Sequence, residues 1–224
     1  MKTLIVGPHP DDELLGCGGT LLRRAYEGGT VGWLLMTAIK KEGGWSTERI
    51  DQRTLEIDQV REGLRIAHNH FYPLNFPAAA LDHFPMSSLV GEISKVFSSF
   101  APDEVLLPHP GDAHSDHRVA FEAASACTKW FRYPSVKRVL TYETLSETEF
   151  GLNPVGHSFR PNFFVNISDH LDVKLRLLEI YHSELGEHPF PRSPDAVKTL
   201  ALLRGAQMGV KAAEAYQMLR CFES

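Results

Sequence analysis

Cysteine is scarce, with Cys17, Cys127 and Cys221 the only three in 224 residues and no CxxC pair among them. That excludes a disulfide framework and a four-cysteine zinc site, and it points to a reducing, cytoplasmic setting. Basic charge is scarce too. Against 28 Asp and Glu stand 23 Lys and Arg, a formal net charge of −5, so the sequence has no electrostatic footprint for nucleic acid. Long apolar runs are missing. Met1-Lys2-Thr3 is followed by only a few apolar residues before Pro8, too few for a signal-peptide core or a membrane span. Neither secretion nor membrane insertion is expected. Without repeats, low-complexity tracts or a linker, one α/β domain over residues 1–224 is expected.

What is present is a regular alternation. Apolar patterning predicts strands over Thr3–Gly7, Val31–Thr37, His70–Leu74, Val105–Leu107, Lys137–Tyr142 and Phe163–Ile167. Between them it predicts helices over Gly18–Tyr26, Glu48–Ala67, Ser87–Phe100 and Asp116 to about Phe131. Two more helices are expected, from Ser168 or Asp169 to His182 and from Asp195 to about Leu219. This order implies a Rossmann-like, mostly parallel sheet with helices on both faces. The segments Ile39–Thr47, Phe76–Pro85 and Glu147–Pro161 read as loops. In an open parallel sheet, the loops at the carboxyl ends of the strands build the site.

The chemistry concentrates in two such loops. Pro8-His9-Pro10-Asp11-Asp12-Glu13 follows the apolar run Leu4-Ile5-Val6, and Asp112-Ala113-His114-Ser115-Asp116-His117 follows Val105-Leu106-Leu107. Imidazole and carboxylate are natural ligands for a divalent metal in a hydrolase. His9 and Asp12 are three apart in a turn, so both can face one point, while Pro10 narrows the conformations between them. Asp11 cannot bind the same ion in the same manner and is placed instead to take a proton from water beside it. An Asp that merely caps the next helix is the poorer reading, because three consecutive acids repel one another without a cation. Glu13 is either a carboxylate that fixes a ligand or Arg53, or a first-turn acid complementing the helix dipole. The glycines Gly16, Gly18 and Gly19 read as sites of close helix packing, and Cys17 as a small buried residue.

In the second loop His117 is the better ligand. Asp116 can hydrogen-bond an imidazole and fix its tautomer or raise its pKa, leaving His114 to donate to an oxyanion or a leaving amine. Asp112 is placed to position His114. Arg53 on the second helix can reach the site, the alternative being a surface pair with Glu56. Tyr142 ends a strand near the pocket, though core packing is its simpler role.

Together the PHPDDE-type and HxDH-type loops resemble those of the LmbE/PIG-L family of metal-dependent N-deacetylases. The likeness extends to Arg53-x-x-Glu56, to Pro161-Asn162-x-Phe164-Val165-x-Ile167-Ser168 ahead of a helix containing Lys174, and to Arg204-Gly205 before Ala213-Glu214-Ala215-Tyr216. The resemblance implies zinc, one per chain, on His9, Asp12 and His117, with Asp11 as general base and His114 as an electrostatic or acid partner held by Asp116. Fe²⁺ suits the same ligand set. It further implies a small N-acetylated sugar or conjugate as substrate, a free amine and acetate as products, and Arg53 as a contact to a substrate hydroxyl or phosphate. Assembly into a homo-oligomer is compatible with the apolar loops. Two rivals stand beside this reading, a metal-dependent phosphoesterase on the same scaffold and a non-catalytic metal or sugar-nucleotide binding protein. Two-metal phosphoesterases need more ligands than these loops supply, and a binding protein has no use for a base at Asp11.

Overall fold

A computed structural model of the chain describes residues 1–152 and 158–223, so part of the loop expected over Glu147–Pro161 lies outside the described residues. The strands are β1 (Lys2–Gly7), β2 (Thr30–Ala38), β3 (Phe71–Pro77), β4 (Glu104–Pro108), β5 (Arg138–Tyr142), β6 (Phe163–Asn166) and β7 (Ala213–Cys221). The α-helices are α1 (Asp12–Tyr26), α2 (Thr47–Gly63), α3 (Met86–Phe100), α4 (Ser115–Ser125), α5 (Leu171–Leu178) and α6 (Pro194–Met208). The strands form one sheet in the order β3-β2-β1-β4-β5-β7-β6, parallel from β3 to β5, with β7 antiparallel to both of its neighbours.

Strand residues alternate between the two faces, as the pleat requires. Ile5, Trp33, Leu35, Leu106 and Leu140 pack under α1, α2, α5 and α6, whereas Leu4, Val6, Leu34, Met36, Val105 and Leu107 pack under α3 and α4. Both faces are covered, which explains why the central strands read as continuous apolar runs. No described helix is long and apolar enough to cross a membrane.

Several element boundaries differ from the sequence reading, among them the helix expected to reach His182, which ends at Leu178 and passes into a 3₁₀ turn, Glu179–Glu184. Helix α1 begins at Asp12, well before the expected Gly18, because its glycines serve packing inside the helix. A Cβ on Gly16 would sit 2.4 Å from Cδ2 of Tyr142, so only glycine lets α1 lie this close to β5. The helix expected from Asp116 to about Phe131 ends at Ser125 and passes into a 3₁₀ turn, Ala126–Thr128. The largest difference lies near the carboxyl end. The helix expected to reach Leu219 stops at Met208, capped by Gly209 at φ 78°, and Ala213–Cys221 is a strand filling the gap between β5 and β6. Its alanines have high helix propensity, but backbone pairing on both sides overrides it.

The order places β1 at a reversal. The chain winds from β1 outward to β2 and β3, then crosses back to β4 on the other side of β1. Ligands in open α/β sheets bind outside the carboxyl ends of the strands at such a switch point. The loops after β1 and β4 are the two acidic loops.

Candidate metal centre and its cavity

The first loop is held from several sides. Thr37 donates to the Pro8 carbonyl through both its amide (3.1 Å) and its hydroxyl (2.7 Å). The His9 amide donates to Asp12 Oδ2 at 2.8 Å, and the Asp11 amide to Glu13 Oε2 at 3.1 Å. Arg53 Nη1 donates to the Pro10 carbonyl at 3.2 Å. These contacts hold Asp11 at φ 132°, a conformation that non-glycine residues rarely adopt and that must be imposed by the surroundings. Glu13 therefore supports Asp11 directly through its amide. Burial is the main cause that pushes the Glu13 carboxyl up to about 8, with the Asp12 charge adding to it and the Asp11 amide opposing it.

His9, Asp12 and His117 converge, with one ligand atom from each lying within 4.8 Å of the others. His9 Nδ1 is 3.6 Å from Asp12 Oδ2, and His117 Nε2 is 3.3 Å from Asp12 Oδ1. Two ligands each about 2.0–2.1 Å from a tetrahedral ion are themselves roughly 3.3–3.4 Å apart. The observed spacings lie close to this value. Each imidazole is also fixed from behind by its own carboxylate: His9 Nε2 donates to Asp116 Oδ2 at 2.9 Å and His117 Nδ1 to Asp112 Oδ2 at 2.8 Å. Carboxylate–imidazole pairs of this kind set the tautomer and orientation of metal-binding histidines.

This arrangement corrects two expectations. Asp112 does not position His114; it holds His117 and is itself held by Thr148 Oγ1 at 2.7 Å. Nor does the Asp116 carboxylate hydrogen-bond His114, although its charge does raise the pKa of that ring, as expected, against the larger lowering by burial and His9. It meets His9, the Ala79 amide at 2.7 Å and the Leu81 amide at 3.0 Å, so it ties the 79–81 turn to the first loop. Only the backbone of Asp116 touches His114, donating to Nδ1 at 3.0 Å, with His114 as the amino-terminal cap of α4. With Nδ1 accepting, the proton of a neutral His114 ring sits on Nε2. A second cluster of His9, His114 and Asp116 also has ligand spacing, but it shares His9 with the first and its carboxylate already serves two amides.

The electrostatics separate the acids. Burial raises the Asp11 carboxyl well above the usual carboxylate range, and the charges of Asp12 and Glu13 add to the push. Burial also penalises the Asp12 carboxylate, but His117 and His9 together outweigh this and hold it low. For His117 burial favours the neutral ring, yet Asp12 and Asp112 outweigh it and raise its pKa well above the usual value. The pKa of His114 is lowered by burial and then by His9, which favours its neutral ring. Five buried carboxyls, Asp11, Asp12, Glu13, Asp112 and Asp116, lie around these ligands, and a divalent cation there would favour their ionised forms.

These groups line one cavity of about 240 Å³. Asp11, His114 and Arg53 face it as expected. Tyr142 does not; it is fully buried, donates to the Val6 carbonyl at 2.9 Å and steadies the end of β1. Arg53 reaches the cavity, but its guanidinium is also paired with Glu56 and Glu184. Trp45, Glu147, Glu184 and Arg192 line the cavity without being marked out by the sequence reading. The last three carry no spacing that would flag them. Trp45 does carry a signal, as an indole beside the polar, glycine-containing stretch Lys40-Lys41-Glu42-Gly43-Gly44, where a core residue is out of place.

Residues 4–128 match the family PIG-L, GlcNAc-PI de-N-acetylase. Diacetylchitobiose deacetylase of Thermococcus kodakarensis is 29% identical over 226 residues, covering 95% of this chain and 81% of that protein. Among solved structures, a conserved protein of Thermus thermophilus is similar with a TM-score of 0.77 at 26% identity, over 99% of this chain and 96% of that one. N,N'-diacetylchitobiose deacetylase of Pyrococcus horikoshii, complexed with an inhibitor, also has a TM-score of 0.77, at 22% identity over 98% of this chain and 84% of that one, a likeness of fold.

Proposed function

The chain belongs to the PIG-L family of GlcNAc-PI de-N-acetylases, and we propose that it hydrolyses the acetamide of an N-acetylated amino sugar or its conjugate, releasing acetate and a free amine. The observation that carries this reading is the convergence of His9, Asp12 and His117 on one point, with Asp11 and His114 on the same cavity wall. His9, Asp12 and His117 hold one divalent cation, Zn²⁺ or Fe²⁺. When bound, that cation supplies Lewis acidity toward the acetamide carbonyl and toward water.

The remaining work belongs to side chains. Asp11 accepts the proton of the attacking water; the push of burial on its carboxyl makes it a better base than a solvated aspartate, and the positive charge of Arg192 favours its ionised form at the start. His114, neutral and with its Nδ1 occupied by the Asp116 amide, presents Nε2–H as a hydrogen bond to the tetrahedral oxyanion. Having taken the proton of water, Asp11 then returns it to the departing amine. Asp112 and Asp116 fix the two imidazoles, and Glu13 and Arg53 hold the loop that carries Asp11.

The test is amine release from a panel of N-acetylglucosamine conjugates, with and without chelator, alongside metal content. Chelator-sensitive amine release is expected. Phosphate release from phosphoesters without amine release would make the protein a phosphoesterase, and bound metal with neither activity would make it a binding protein.

A further inference from the structure

The catalytic cavity does not end at Trp45. Ile39, Trp45 and Ala78 line both that cavity and a second hollow of about 470 Å³, so the two adjoin at the indole. The outer hollow is walled by Ile39, Pro77, Ala78 and Ala80, with Lys40 and Glu42 contributing one charge of each sign. Trp45 is 47% exposed. Such an indole is more costly to leave in water than a polar residue, and its flat face suits a stacked ring. The inner cavity by contrast is crowded with hydrogen-bonding groups, among them Arg53, His114, Glu147 and Arg192.

Resting on the deacetylase reading, we infer that the outer hollow is a subsite for an uncharged, apolar-faced aglycone attached to the amino sugar, stacked on Trp45. A second sugar would bring several hydroxyls, and the carbon-rich wall offers them few partners. An anionic group would find Lys40 offset by Glu42, and Arg53 already paired with Glu56 and Glu184. The inner cavity then takes the N-acetylated ring, and the outer hollow sets which conjugates are preferred.

The test compares free N-acetylglucosamine, N,N'-diacetylchitobiose and p-nitrophenyl N-acetylglucosaminide (both anomers) as substrates of the metal-loaded protein, read as amine release. The aryl glycoside should have the highest kcat/KM. Trp45→Ala should lower its advantage over the free sugar about tenfold, the worth of one ring stacked on an aromatic side chain, mainly through KM. Trp45→Phe should keep most of the advantage. A higher kcat/KM for the disaccharide, or an equal loss on all three substrates in Trp45→Ala, would overturn the subsite while leaving the deacetylase reading intact. If no substrate releases amine, that reading fails instead. Calorimetric binding of the aryl glycoside then decides the subsite, which stands if Trp45→Ala weakens binding and falls if it does not.

Discussion

Helix α1 borders two buried charge clusters that differ in balance. Toward β7, Lys174 Nζ donates to Glu214 Oε1 at 2.7 Å and to the Leu15 carbonyl at 3.0 Å. Glu214 also accepts from the Gly19 amide (2.8 Å), the Thr20 amide (2.7 Å) and the Tyr216 hydroxyl (3.1 Å). One cation meets one anion, and each of these groups has a partner. At the amino end of α1, Asp11, Asp12 and Glu13 lie near Asp112 and Asp116 with the His9 and His117 imidazoles between them and the charge of Arg192 acting on Asp11, and buried Glu13 Oε1 has no hydrogen-bond partner among the described residues. Both places are buried. The first cluster is complete as protein and locks the helix to the sheet, whereas the second has the ligand spacing and the carboxyls to take a cation.

The sharpest way to divide the two clusters is His117→Ala. It removes a proposed ligand and leaves Asp12 without its nearest imidazole, so metal content should fall to background and amine release with it. The fold should persist on chelation and in the variant, because the two apolar cores on either side of the sheet do not involve the ion. A fully metallated His117→Ala protein would remove His117 from the ligand set.

Lys174→Met should do the reverse. It strands the Glu214 carboxylate, 5% exposed, without its counter-ion and should cost about 3–5 kcal/mol of stability, measured by denaturant unfolding. Any folded fraction should still bind metal. Replacing Glu214 with Leu as well should not restore the loss, since the Gly19 and Thr20 amides would then be orphaned. Loss of metal affinity in the folded Lys174→Met protein would show that the two clusters are coupled through α1.

Asp11→Asn isolates chemistry from binding within the second cluster. It keeps the loop and the ligands but removes the base, so turnover should fall at least about 10²-fold with metal content unchanged. If the variant loses metal instead, Asp11 is a ligand and the division of roles along this loop is wrong.

Much of the second cluster is legible in the sequence. Strand-end position and the His9/Asp12 spacing carry information that a local motif can hold, and the α/β alternation points to the switch point. The first cluster is visible there only as pattern: Lys174 and Glu214 lie 40 residues apart, and nothing local shows that they meet. The same limit explains the misassigned partners. Asp116 is two residues from His114 in sequence, but its carboxylate is claimed by His9 and by the 79–81 turn, which arrive from distant elements. β7 reads as helix because its alanines favour helix locally, while its pairing with β5 and β6 is set by the whole sheet.

The smallest expected effect tests that reassigned aspartate. Asp116→Asn leaves the side chain able to accept from one amide but weakens its hold on His9 Nε2–H, so metal affinity should drop about 10–100-fold, the usual worth of a group that orients a ligand. Once the variant is saturated with metal, the pH profile of kcat should be close to that of the native protein, because the carboxylate makes no hydrogen bond to His114 and its charge is outweighed there by burial and His9. His114→Ala should behave oppositely, lowering kcat while metal content stays constant, since the interaction removed is made with the oxyanion. The two readouts therefore part company: affinity follows Asp116, and turnover at saturation follows His114. Should metal-saturated Asp116→Asn instead show its alkaline limb moved downward, Asp116 governs the His114 proton after all, and the backbone cap at Nδ1 is the lesser of its two contacts.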